Sequence, residues 1–176
     1  MIKRVVASLL LYGASISAQN PSAASSAGDP WKSLQFLVGT WEAKTQGGSA
    51  GAASSGTYTF QLELRSHVLA RHSINSGCKG PADFDCEHGD LLYVYEEPVG
   101  RALKAIYFDN EGHVINYEVT TPAPNTAILL SPASQPGPQF RLVYELKGRV
   151  MLGKFQMRMP GQSDFKSYLE WSGERK

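Results

Sequence analysis

Alternation of apolar and polar residues after Trp41 constrains the fold of this chain more than any other feature. The segment TYTFQLEL, residues 57–64, places one apolar group on a single face: Tyr58, Phe60, Leu62 and Leu64. Alternation with a period of two is typical of a β-strand that has one buried side. We therefore expect these side chains to face the interior of a sheet structure.

About ten segments of this kind follow one another, and most are joined by short turns such as the Asn-Glu-Gly of residues 110–112. Short connections favour antiparallel neighbours over crossover units. A sheet with one apolar face loses its exposed edges when it curls until its first and last strands meet. The sequence thus predicts an all-β domain over residues 30–176, a roughly ten-stranded antiparallel up-and-down β-barrel. A two-sheet sandwich is the alternative.

A short helical turn is predicted before the first strand, in the stretch DPWKSLQFL, residues 29–37. Asp29 can cap it, and Pro30 suits the first helical position. Gly39 ends it and lets the backbone bend, which would bring the large ring of Trp41 under the bottom of the barrel. One face of the turn is apolar: Trp31, Leu34 and Leu37.

The first residues have the features of an export signal. Two basic residues precede an apolar run at 5–16, and small residues lead to Ala18. The run is shorter than the roughly 20 apolar residues that span a bilayer. We predict a signal peptide at 1–18, a flexible linker at 19–29, no membrane span, and an exported protein in the periplasm or outside the cell. A buried N-terminal helix is the alternative.

Cys78 and Cys86 are the only two cysteines. In an exported chain, two cysteines eight positions apart predict a disulfide that closes a short loop. The loop CKGPADFDCEHGD also holds four acidic residues and His88, so a zinc or calcium loop is the alternative interpretation. An acidic solvated loop is the commoner outcome, and we predict no metal site.

The amino-acid composition argues against some classes of binding partner. The chain carries a net charge of +1, with 19% charged and 42% hydrophobic residues. A near-neutral surface argues against nucleic acid as a partner, because phosphate binding favours a basic surface. The same balance argues against strong attraction to an anionic membrane. No oligomeric state is predicted.

The sequence matches one catalytic motif, but the predicted structure around it does not fit that motif. GGSAG, residues 47–51, fits G-x-S-x-G, but the nucleophile of such a motif stands between a strand and a helix, and no helix follows Ser49. Zinc-protease, phosphate-loop and dinucleotide patterns do not occur. The sequence predicts no cofactor and leaves catalysis undecided.

Three stretches carry a family resemblance: FLVGTWEA, ALKAIYFDNEGHVINYEV and the closing YLEW. Together they resemble the calycin superfamily of lipocalins and fatty-acid-binding proteins, and more closely a bacterial group of exported lipocalin-like proteins, over about residues 31–176. They are distantly similar to nitrobindins, ten-stranded haem-binding barrels. The resemblance implies a barrel that encloses a ligand. Nitrobindins hold haem iron with a histidine near the C-terminal strands, whereas the last histidine here is His113, so haem binding does not carry over.

We expect the protein to bind a small, mainly apolar molecule in the barrel lumen. The alternatives are an isomerase or hydrolase that uses a histidine in the same cavity, and a structural or interaction barrel with a filled interior. His72 shares strand parity with Val68, Ala70 and Ile74, which would point it into the lumen if that face is buried. The predicted ligand-binding residues are His72, Tyr58, Phe60, Tyr107, Tyr117, His113 and Met157.

Overall fold

The computed structural model describes residues 28–133 and 137–176. They form a closed barrel of ten antiparallel strands, preceded by one short 3-10 helix. The predicted all-β, up-and-down barrel with an N-terminal helical turn is confirmed, and the sandwich alternative is wrong. The predicted signal peptide and nearly all of the predicted linker lie outside the described residues.

The helix spans Lys32–Leu37, and each predicted alternating segment is one strand. In chain order the strands are β1 (Gly39–Gly47), β2 (Ala53–Glu63), β3 (Val68–Lys79), β4 (Asp90–Glu96), β5 (Leu103–Asp109), β6 (Val114–Ala123), β7 (Thr126–Leu130), β8 (Gln139–Lys147), β9 (Val150–Arg158) and β10 (Lys166–Arg175).

Every strand pairs with its neighbour in sequence, and β1 closes the barrel by pairing with β10. The closing register places Trp41 opposite Arg175 and Ala43 opposite Gly173. Closure gives every strand a paired neighbour on both sides, which is why a meander with one apolar face is stable in this form. Within the described ranges, no helix is long and apolar enough to cross a bilayer.

The end of the barrel where β1 begins, here called the lower end, is sealed by the helix and by Trp41. The Trp41 ring is fully buried, and its indole N–H donates to the Leu37 carbonyl at 2.8 Å. The Arg175 guanidinium lies 4.5 Å above that ring and donates to the Val38 carbonyl at 2.7 Å. The predicted role of Trp41 as the floor of the barrel is confirmed.

Most of the predicted apolar faces form the core; the exceptions are Leu64 and, on β3, Ile74, which is 69% exposed. Large side chains fill the lower part of the barrel, and the most deeply buried are Trp41, Phe60, Leu69, Leu92, Tyr144 and Met151. Leu64 was expected on the same inner face as Phe60. It lies instead in the tight turn after β2, where it has a φ of 49° and is 74% exposed, because the strand ends one residue earlier.

The opposite end, here called the upper end, carries the loop between β3 and β4. Cys78 and Cys86 form a disulfide across this loop, with their Cα atoms 5.4 Å apart, so the predicted disulfide is confirmed. The Asn75 amide donates to the Cys86 carbonyl at 2.8 Å and fixes the loop to β3. The segment of residues 80–89, which we call the roof loop, therefore has an anchored position over the upper end.

Candidate functional site

The inner face of β3 differs from the predicted one. Register with β2 sets Leu62 opposite Leu69 and Phe60 opposite Arg71, so Arg71 points into the barrel. His72 lies on the outer wall, where its side chain is 40% exposed and its Nε2 is 2.8 Å from a Glu63 carboxylate oxygen. The predicted lumen position of His72 is wrong because the apolar residues of β3 occupy both faces, and the buried partner strand decides which one turns inward.

Arg71 crosses the interior to join three elements. It is 6% exposed, donates to the Tyr144 hydroxyl of β8, and forms an ion pair with Asp90 at the start of β4. The Ser73 hydroxyl donates to the same Asp90 oxygen at 3.0 Å. A buried charge requires a partner and hydrogen bonds, and this arrangement supplies both.

The ion pair shifts both of its members toward the charged form. Burial alone would raise the pKa of Asp90, but the Arg71 cation, with His88 and Ser73, outweighs it and holds that pKa well below its usual range. Burial would also lower the pKa of Arg71, yet Asp90 and Tyr144 outweigh it and raise that pKa. Both groups are therefore charged at neutral pH.

His88, which the sequence analysis considered only as part of the cysteine loop, extends this polar group to the roof loop. Its Nδ1 lies 2.8 Å from a Glu111 carboxylate oxygen, and its Nε2 lies 3.0 Å from the Tyr107 hydroxyl. Its Nε2 is also 3.7 Å from Asp90. The Asp90 carboxylate, opposed by burial and reinforced by Glu111, raises the pKa of His88 to about 9. His88 is therefore a cation at neutral pH and holds the roof loop to the rim.

These groups form one wall of a cavity of about 170 Å³ at the upper end of the barrel. Arg71, Ser73, Asp90 and His88 give this wall its polar character. The opposite wall is mainly apolar and comes from β1 and β10, and Phe84 of the roof loop lies at the edge of the cavity. The apolar lining includes Ala43, Tyr58, Phe84, Leu169 and Trp171.

The indole ring of Trp171 occupies space that is open only because residue 153 is a glycine. A Cβ atom at Gly153, on the neighbouring strand, would overlap the indole ring of Trp171. The ring packs edge-on against Tyr144, with 5.8 Å between centroids. Gly153 thus lets the indole lie flat on β9 and form the side of the cavity.

Three buried polar atoms around the cavity have no hydrogen-bond partner within the described ranges: Arg71 Nε, the Tyr58 hydroxyl and Trp171 Nε1. The indole N–H approaches the Tyr58 hydroxyl closely enough to affect its pKa, but not in hydrogen-bond geometry. Burial, reinforced by Tyr144, still raises the pKa of Tyr58. An unpartnered buried polar atom costs about 1–3 kcal/mol, so these three atoms lower the stability of this part of the barrel.

The structure brings only part of the predicted site together. Tyr58 lines the cavity, and Phe60 packs against it from below with ring centroids 6.0 Å apart. Tyr107 reaches the cavity wall through His88. The others lie elsewhere: Tyr117 is buried in the core, Met157 is half-buried near the upper end of β9, and His113 is exposed at the rim and bonded to Asp109.

Within the part of the chain that the structure describes, Asp85, His88 and Glu111 are placed so that they could hold a metal ion. One ligand atom from each lies within 4.8 Å of the other two. The direct hydrogen bond between His88 and Glu111 accounts for the closeness of two of them. The thiolate alternative for the cysteine loop is wrong, because both sulfurs are used in the disulfide.

Sequence reasoning missed Arg71, Ser73, Asp90, His88 and Trp171 as site residues. Asp90 stands at the first position of β4, beside a loop rich in acids, and gave no sign of being buried. Hairpin geometry was the one available signal: a four-residue turn after Glu63 pairs Phe60 with Arg71.

Comparison with known protein families and with curated protein sequences finds no match to this chain.

Proposed function

We propose that the protein binds a small, mainly apolar molecule in the cavity at the upper end of the barrel. The cavity between the Arg71–Asp90 wall and the Leu169–Trp171 wall carries this proposal. An engineered apolar cavity of about 150 Å³ takes up benzene, so a cavity of about 170 Å³ suits a molecule built on one ring. The deeply filled lower barrel limits the ligand to that size.

The two walls favour a molecule with an apolar body and one polar group. Leu169, Trp171 and Ala43 offer apolar surface, and burial of that surface is the main source of affinity. The charge of Arg71 is already balanced by Asp90, so the polar group on the ligand need not be ionised. A hydroxyl or carbonyl group suits a wall of this kind better than a second charge does.

We also propose that the protein is exported from the cytoplasm and that it belongs to a lipocalin-like family. A structural disulfide supports this, because such bonds persist in oxidising compartments. The closed meander with a helix and a Gly-x-Trp at its start also supports it, since these are the features on which the family resemblance rests.

Calorimetric titration with p-cresol tests the proposal. We expect saturable binding with a dissociation constant on the order of 100 µM, a usual value for a ligand of this size. Ala43→Leu, which adds a side chain inside the cavity, should abolish binding. Ala53→Leu adds the same side chain to an exposed site on β2 and should leave binding unchanged.

Two results would contradict the proposal. Wild-type protein that gives no heat of binding with p-cresol or toluene would favour the filled structural barrel. Equal binding by Ala43→Leu and wild type would place the ligand outside the cavity.

A further inference from the structure

Two arginines on the outer wall near the upper end, Arg141 of β8 and Arg158 of β9, stand beside one aromatic ring. The Arg141 guanidinium carbon lies 4.1 Å from the centroid of Phe165, and that of Arg158 lies 4.8 Å from it. Phe165 precedes β10 and is half-buried. Two like charges therefore share one small patch of the surface.

Neither arginine has an acidic partner among residues 28–133 and 137–176. Lys154 nearby is paired with Glu170 at 3.5 Å, whereas Lys166, next to Phe165, has no acidic partner within the described ranges either. Asp164 adjoins Phe165 in sequence, but it accepts from the Ser163 hydroxyl and pairs with neither arginine. Burial and then the nearby Arg158 cation lower the pKa of Arg141, as expected for a cation that lacks an anion.

Two nearly buried amides fix both guanidinium groups in place. Gln156 is 9% exposed and accepts from Arg141 Nε at 2.8 Å, while its own N–H₂ donates to Ser167 at 3.1 Å. Gln139 is equally buried and accepts from Arg158 Nη2, while it donates to the Ser131 carbonyl at 2.7 Å. The side chains are thus oriented before any partner arrives, which reduces the entropy lost on binding.

Most of the N–H groups of Arg141 donate no hydrogen bond within the described chain. A guanidinium carries five, and Arg141 uses only its Nε–H within the described chain. Phosphate and sulfate groups match this fork with parallel N–H···O bonds, and they supply the missing negative charge.

We propose that Arg141 and Arg158, held beside Phe165, form a binding site for a phosphate or sulfate group. The site lies on the outer wall and is separate from the cavity proposed above. The group is either a free oxyanion or the head group of an anionic lipid, and these sources share one recognition chemistry.

Titration of ¹⁵N-labelled protein with inorganic phosphate, followed through the arginine Nε–H signals, tests the site. We expect saturable shifts for Arg141 and Arg158, and weaker binding as NaCl is raised. Arg101, which pairs with Glu96 at the other end of the barrel, is the internal reference and should not move. Equal small shifts for all three arginines would overturn the proposal, and this readout needs no variant.

Substitution of the arginines gives a second test of the phosphate site. Arg141→Gln and Arg158→Gln should each weaken phosphate binding at least tenfold, whereas Arg101→Gln removes the same charge and should not. If Arg141→Gln fails to fold, Arg141→Lys keeps the charge without the fork and should bind several-fold more weakly than wild type.

Co-sedimentation with phosphatidylglycerol or phosphatidylcholine vesicles separates the two sources. Sedimentation with the anionic vesicles alone, lost in Arg158→Gln, assigns the site to a lipid head group. Phosphate binding without sedimentation assigns it to a free oxyanion. Absence of both overturns the proposal.

Discussion

Replacement of Arg71 by Met should destabilise the barrel strongly, because it leaves Asp90 buried without its cation. The Arg71 side chain is 7% exposed and that of Asp90 is 14% exposed. Removal of one member of a buried ion pair costs about 3–5 kcal/mol. The His88 cation remains 3.7 Å from Asp90, and Ser73 still donates to it, so we expect a loss near the lower limit, about 3 kcal/mol.

Urea unfolding followed by far-UV circular dichroism, with the disulfide intact, measures this loss. The double variant Arg71→Met/Asp90→Leu should recover most of it, since an apolar pair in the same space leaves no charge unpaired. Arg101→Met breaks an exposed pair with Glu96 and should cost less than about 1 kcal/mol.

The reasoning on the ion pair would be refuted if Arg71→Met lost no more than Arg101→Met. It would equally be refuted if the double variant were less stable than the single one, because the cost would then come from lost packing instead of an unpaired charge.

Three further predictions concern the cavity wall and the roof loop. In Gly153→Ala the added methyl group overlaps the Trp171 indole. We expect the free energy of unfolding, measured in urea, to fall by about 2 kcal/mol and the tryptophan emission spectrum to change. Cys78→Ser/Cys86→Ser should lower the free energy of unfolding by about 2.5 kcal/mol and weaken p-cresol binding. The His88 ion pairs stabilise the fold fully below about pH 6.5, the unfolded pKa. Because the folded pKa is about 9, roughly 1–2 kcal/mol should be lost as the pH rises through that value, after allowance for solvent screening at a partly exposed ring.

Each of these has a matched comparison. Gly47→Ala adds the same methyl group in open space, and a loss equal to that of Gly153→Ala would remove the steric argument. Cysteine variants that bind p-cresol as wild type does would show that the roof loop does not shape the cavity. In His88→Gln the pH-dependent loss should vanish, and an unchanged profile would assign it to another group.

The architecture could be predicted from the sequence because most strands carry their apolar residues on one face, with a period of two. The floor of the barrel was also readable, since Trp41 follows a glycine at the first strand. These features depend on neighbours in the chain, and short turns then fix which strands pair.

The polar wall of the cavity was not readable, for two physical reasons. In β3 apolar residues stand on both faces, and only pairing with Phe60 and Leu62 turns Arg71 inward. The partners of Arg71 come from β4 and β8, as Asp90 and Tyr144, which the barrel brings together across its interior. No local pattern encodes a contact between residues that are 73 positions apart.

Isotope-filtered NOE spectroscopy on labelled protein saturated with p-cresol tests the cavity most directly. The account predicts contacts from the ligand methyl group to the side-chain methyl groups of Ala43 and Leu169, which line the cavity. Contacts confined to Val114, which is 60% exposed on the outer wall, would contradict it.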